Sequence, residues 1–222
     1  MGRAAPRREP LSRARIIDAA LALADENGIE NLGMRGVARR LGVDPMSLYN
    51  HVDGKSALFD GIAERLVELA DLPGPAPWDD WARTAAQRFM RVALEHPGGF
   101  GVLGVHPVST IESIAHFEPL VDGLLRAGVP ESAVGLVVNA LLGFVASYAL
   151  VRTLPPLSVD STQPQETIVP PEMRERLPAI SRVEAAEASV ILEPEATFNL
   201  GVELLIEGLR ARLQRGGFAS AG

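Results

Sequence analysis

The chain is expected to be all-α, and three observations predict this. Apolar residues recur at three- and four-residue steps through most of its 222 residues, the period of one helix face. The breaks between these stretches carry glycine, proline and side-chain-oxygen caps, which is the punctuation of helix ends. No alternation of apolar and polar residues runs long enough for a strand, and no internal repeat is present.

Taken in order, residues 1–11 form a basic arm in which Arg3, Arg7 and Arg8 stand among Ala, Pro and Gly. Such an arm either lies along phosphate or is a plain solvated tail. Ser12 is placed to cap a helix over 13–27, where Ile16, Ile17, Ala20, Leu21, Leu23 and Ala24 share helical spacing and Gly28 ends the run. Residues 34–41 predict a second, short helix with Val37, Ala38 and Leu41 inward, stopped by Gly42, which tolerates a left-handed cap. Asp44 can cap the next helix and Pro45 suits its first position. Leu48, Tyr49 and Val52 are assigned to its buried side, leaving Met46, Ser47, Asn50 and His51 outward. Lys55 opens a further helix with the stripe Leu58, Phe59, Ile62, Leu66 and Leu69, and its first amides attract anions. Two short helices, a tight turn and an outward face of small or polar residues make a helix-turn-helix nucleic-acid reader over residues 12–60.

Residues 71–77 read DLPGPAP, which no helix can continue through, so 61–222 is assigned to a second, larger helical part. A helix over 79–95 carries Trp81, Ala85, Phe89, Val92 and Ala93, and stops at His96-Pro97-Gly98-Gly99. His96 is read as a partner for that helix's C-terminus. Short apolar pieces follow over 100–105 and 109–126. Residues 132–151 hold no charged side chain, which raises a membrane span; Asn139, Ser147 and Tyr148 interrupt the run and its basic flanks are weak. It is therefore read as a helix buried on nearly all sides, with Gly135, Asn139 and Gly143 giving one narrow face to another helix. Residues 155–171 are a Pro-rich, charge-poor loop that could cover a pocket. Near the C-terminus Phe198, Val202, Leu205, Leu209 and Leu213 form a second apolar seam, and two such helices from each of two chains would build a four-helix bundle.

Composition narrows the functional classes. The chain has no cysteine, which excludes a disulfide framework and any Cys-based metal or redox site, and fits a reducing cytoplasm. No secretory leader pattern opens it. The net charge of −7 is unevenly placed: residues 1–60 hold nine basic against eight acidic side chains, and 61–222 hold twelve against twenty. DNA affinity must then come from local placement of Arg35, Arg39, Arg40, His51 and Lys55, and from doubling the site, rather than from bulk charge. His106 and His116 have no carboxylate at ligand spacing, so no metal is assigned, and no cofactor motif occurs.

The order Ile16-Ile17-Asp18-Ala19-Ala20, Gly28, Val37-Ala38, Leu41-Gly42-Val43, Leu48-Tyr49-Asn50-His51-Val52, Lys55 and Leu58 resembles the TetR (tetracycline-repressor) family of bacterial transcription regulators. The resemblance covers residues 12 to 60, about a quarter of the chain. It departs from the family pattern at Gly33, where a Thr is usual, so one hydroxyl contact is missing while the cap itself is retained. The resemblance implies a dimer formed by the last two long helices and a ligand cavity in the second part. Candidate cavity residues are Phe89, Phe100, His106, Phe117, Phe144 and Tyr148, each of which could instead be plain core.

Within the reader, Arg35 is the candidate for a guanine edge, and Met46, Ser47 and Asn50 for base discrimination. His51 and Lys55 would hold phosphates, and Tyr49 would either read a base or sit in the core with its hydroxyl at a phosphate. The expected function is a homodimeric repressor that binds a palindromic double-stranded operator and is released by a small-molecule effector. The alternatives are a constitutive DNA-binding dimer without effector and an enzyme. Against the enzyme, the chain shows no Gly-rich phosphate loop, no nucleophile elbow and no clustered acid-base set.

Overall fold

The structure is a computed structural model that describes residues 10–105, 110–153, 171–186 and 194–218. The basic arm before residue 10, the Pro-rich loop up to 170 and His106 lie outside the described residues. Every regular element among the described residues is helical.

The head begins with α1 (Arg13–Asn27), whose Ser12 cap accepts from the Arg15 amide; Gly28 closes it at φ 80, its own amide bonded to the Ala24 carbonyl. After one turn of 3-10 helix come α2 (Met34–Leu41) and α3 (Pro45–Leu48). Gly42 between them adopts φ 68 and ψ 37, the left-handed cap that a side chain would strain. Then α4 (Lys55–Ala70) runs unbroken past position 60 into the second part. Ile16, Ile17, Val37, Leu48, Val52, Leu58 and Ile62 are all buried together as the head's core. α1 and α4 cross so tightly that a Cβ on Gly61 would overlap Ile17, and the crossing is flanked by Arg13–Glu64 at 2.7 Å and Arg65–Asp18 at 3.0 Å.

The second domain is organised around α5 (Trp78–Glu95). Trp81 is buried and its indole N–H donates to the Pro73 carbonyl at 2.8 Å, which ties the Pro-rich linker to the domain it precedes. The short apolar pieces become α6 (Pro97–Phe100), α7 (Val102–Val105), α8 (Ile111–Ala115) and α9 (Glu118–Arg126). The long helices α10 (Glu131–Thr153) and α12 (Pro194–Gln214) pack on α5, with α11 (Pro178–Ala186) between them in sequence. Arg83 of α5 grips Glu203 of α12 with two hydrogen bonds, 2.6 and 3.0 Å, and Arg210 of α12 pairs with Asp79 of α5.

Two expectations are corrected here. α10 is not buried on nearly all sides: Ala133, Val134, Leu141, Val145 and Ala149 face the domain core, while Gly135, Leu136, Asn139, Ala140, Gly143, Ser147 and Val151 form an outward stripe. Lack of charge cannot tell a surface covered by the same chain from one left open. Its 23 residues, with a mean hydropathy of 2.1 in the richest window, would be long and apolar enough to cross a membrane, yet its buried side packs on α5, α9 and α12. The seam named for α12 also points differently. Phe198, Val202, Ile206 and Leu209 are buried against their own domain, and the open side carries Leu200, Leu204 and Gly208.

Candidate nucleic-acid interface and ligand cavity

α3 is a single turn. Asp44 Oδ1 accepts from the Met46 amide at 2.8 Å to start it, and the chain then winds on through His51, whose amide reaches the Leu48 carbonyl at 2.9 Å. Leu48 is wholly buried and Val52, four residues on, is nearly so, which pins the segment to the head's core. Everything between and beside these two anchors faces outward. Met46 is 70% exposed and Tyr49 48% exposed, and Asn50, His51 and Lys55 are exposed, with Ser47 half-buried.

Tyr49 therefore leaves the buried side to which the sequence assigned it. Successive residues on a helix are about 100° apart, so the neighbour of a fully buried Leu48 is turned away from the core. Its exposed ring stands beside Asn50 and His51 on the outer surface.

The basic side chains of the head differ in their freedom. Arg40 reaches back to Glu26 of α1 at 2.7 Å and is committed to holding α2 in place, whereas Arg35 and Arg39 are exposed. Gly33 caps α2 with no side-chain bond, as the missing hydroxyl implies. The Lys55 ammonium lies 5.2 Å from the centroid of the Phe59 ring one turn later, a cation–π contact that keeps the charge near the start of α4.

The second domain encloses a cavity of about 530 Å³ between α5, the short helices and α10. Phe89, Phe100 and Phe117 line it together with Leu103, Ile114, Val121, Leu142 and Val145; its polar lining comes from Glu118 and Asn139. The Phe89 and Phe117 rings are parallel within 6°, their centroids 6.3 Å apart. Phe144 and Tyr148 are placed elsewhere. Phe144 stacks on Phe198 at 6.0 Å, and Tyr148 joins that cluster while its hydroxyl donates to the Pro194 carbonyl at 2.7 Å. Tyr148 borders a different, more polar cavity of about 600 Å³ beside Gln87, Arg91, Arg152 and Asn199. Sequence reasoning missed Asn139 and Gly143 as cavity residues, because their four-residue step reads equally well as a helix-approach face. Among the described residues no group of three or more His, Asp or Glu side chains is arranged to hold a metal ion.

The head profile described as "Bacterial regulatory proteins, tetR family" matches residues 16–62, and "Tetracyclin repressor-like, C-terminal domain" matches residues 72–213. The chain belongs to the TetR family. Tetracycline repressor protein class D of Escherichia coli is 32% identical over 212 residues, covering 91% of each chain. Apo ActR from Streptomyces coelicolor superposes with a TM-score of 0.78 at 23% identity, over 94% of this chain and 99% of that one. ActR in complex with actinorhodin gives 0.75, also at 23%, over 91% and 96%. As a TetR-family regulator, the protein is a DNA-binding transcription factor whose head and second domain correspond to the two matched regions.

Proposed function

We propose that this TetR-family regulator is a homodimeric repressor: two heads bind a palindromic operator, and a small molecule entering the cavity of about 530 Å³ releases it. The observation that carries this reading is the placement of Met46, Tyr49, Asn50 and His51 on one exposed surface fixed by buried Leu48 and Val52. Such a surface, with Arg35 and Lys55 at the flanking helix starts, can enter a major groove while the amides and cations meet phosphate. In this reading Arg35 takes a guanine edge, Met46, Ser47 and Asn50 discriminate bases, and His51 and Lys55 set orientation. The exposed Tyr49 ring packs on the duplex with its hydroxyl toward phosphate.

Dimerisation is supported by the open stripes of α10 and α12, where Leu136, Val151, Leu200 and Leu204 are 73%, 68%, 60% and 59% exposed. Small residues beside them, Gly135, Gly143 and Gly208, allow helices of a second copy to come close. Phe89, Phe100 and Phe117 suit a flat, largely apolar effector, and Asn139 offers it a hydrogen bond. The relatives show cavities put to such use: ActR is solved with actinorhodin, and a TetR variant from Acinetobacter baumannii with minocycline. No catalytic role and no cofactor is proposed, and the working place is the cytoplasm, with the DNA.

Selection of bound duplexes from a random pool tests the reading, followed by a screen of aromatic compounds for release. The expected product is a palindrome with half-site centres roughly 34 to 36 Å apart, the reach of successive major grooves. Failure to enrich any sequence at moderate salt overturns it. An operator held through every compound that binds the cavity would favour a constitutive dimer instead.

A further inference from the structure

α6 touches two parts of the molecule at once. On one side Phe100, 2% exposed, forms part of the cavity wall. On the other, α6 lies against the end of α1, so closely that a Cβ on Gly98 would overlap the Ala24 carbonyl oxygen and one on Gly99 would overlap Leu21. Neither glycine has a positive φ, so what they supply is room for approach rather than an unusual backbone. At this contact Asp25 of α1 makes two bonds. Its Oδ1 accepts the Gly99 amide at 2.8 Å, and its Oδ2 lies 2.7 Å from His96 Nδ1. Asp25 and His96 are partly shielded from water, with side chains 20% and 25% exposed. The next residue of α1, Glu26, holds Arg40 of α2 at 2.7 Å, which ties the same helix end to the front half of the reader.

Resting on the effector reading above, we infer that Asp25 is the positioning residue through which the cavity wall sets the orientation of the DNA-reading head. The head is joined to the second domain covalently through α4. One attachment fixes distance but allows rotation about its axis. The Asp25 bonds to His96 and Gly99 supply a second attachment away from that axis, so rotation is fixed as well. An occupant that displaces Phe100 moves the Gly99 amide and the His96 ring with it, and the end of α1 follows. Two heads in a dimer must meet grooves at a set spacing, so a small rotation of each is enough to misalign the pair.

The test uses the full chain, its selected operator, and Val121→Trp as a permanent occupant of the cavity in place of an unidentified effector. Asp25→Ala removes both bonds. Asp25→Asn is the conservative control, since an amide oxygen still accepts from Gly99 and its NH₂ donates to a neutral His96. Operator affinity is expected to fall by about tenfold or more on adding Val121→Trp to the wild type or to Asp25→Asn, and by less than about threefold in Asp25→Ala, within the usual range of coupling between sites. Equal loss in all three backgrounds overturns the proposal, as does no loss in the wild type. Hydrogen exchange without DNA separates this from failure of the repressor reading. Val121→Trp should alter protection of the Gly99 amide and of residues 24–27 in the wild type and not in Asp25→Ala. An unchanged pattern in the wild type sinks the coupling even where an operator is found, and a changed one upholds it even where none is.

Discussion

The head and the second domain are both helical, but different distances of chain hold them. In the head, Ser12 caps Arg15, Asp44 caps Met46, and Gly42 turns the chain between two helices only three residues apart. In the second domain the fixing contacts span the sequence, as when Arg83 grips Glu203, 120 positions away, or Phe144 stacks on Phe198. Short-range devices specify a shape that needs nothing else to complete it. Long-range packing leaves this domain with a cavity and two open apolar stripes, and these are the places where a ligand and a second copy can act.

The sharpest way to break that comparison is to spoil the open stripes without touching the head. The double change Leu136→Glu with Leu204→Glu puts four charges across the proposed two-fold contact. Sedimentation should show a monomer, and operator affinity should drop more than about a hundredfold, because two linked heads gain that much over one. A monomer with undiminished affinity would mean that the head works alone. Next in size is Leu48→Ala, at a position wholly buried in the head. Removing its methyl groups from that core should cost about 2 to 5 kcal/mol, read as a lowered unfolding midpoint in denaturant. A loss confined to the head, with the second domain's transition unmoved, would sharpen the distinction between the two regions. A smaller and more selective effect belongs to Arg35→Ala, expected to cost about 1 to 3 kcal/mol on the chosen operator and little on random DNA. Lys55→Ala should instead weaken both alike and lower the salt slope by about one.

The same contrast accounts for what could be read from the amino acids alone. The bounds of α1 and α2, the caps at Ser12, Gly42 and Asp44, and the buried Val37, Leu48 and Val52 follow from neighbours in sequence, and the structure has them where the spacing puts them. Tyr49 was misplaced because α3 was treated as longer than its single turn; once Leu48 faces the core, the next residue cannot. In the second domain the helix over 132–151 was legible as a helix, but its outward stripe was not. Hydrophobicity records that Leu136 prefers to leave water, and carries no information about which chain will cover it. The cavity was legible in part. Phe89, Phe100 and Phe117 converge from three helices, whereas Phe144 looks identical in sequence and lies in another cluster. The Asp25–His96 contact spans 71 positions and leaves no periodic signal at all.

The finest expected effect concerns the clamp that joins α5 to α12. The Arg83 hydrogen bonds hold the Glu203 carboxyl below its usual range. Burial pushes the Asp79 carboxyl up, but the Arg210 hydrogen bond and charge outweigh it and leave that group lowered too. A carboxyl whose pKa is lower folded than unfolded adds stability above its unfolded value, about 4 for these side chains, and loses it as the pH falls through the folded value. Glu203 is 40% exposed, so solvent screens much of the pair and the effect is small. Glu203→Gln should therefore melt slightly below the wild type at pH 7, and the gap should narrow as the pH drops below about 4. A gap that stays constant with pH would show that the clamp acts through the geometry of its hydrogen bonds rather than through charge. The long-range contact would then resemble the neutral caps of the head, and this part of the contrast between the two regions would close.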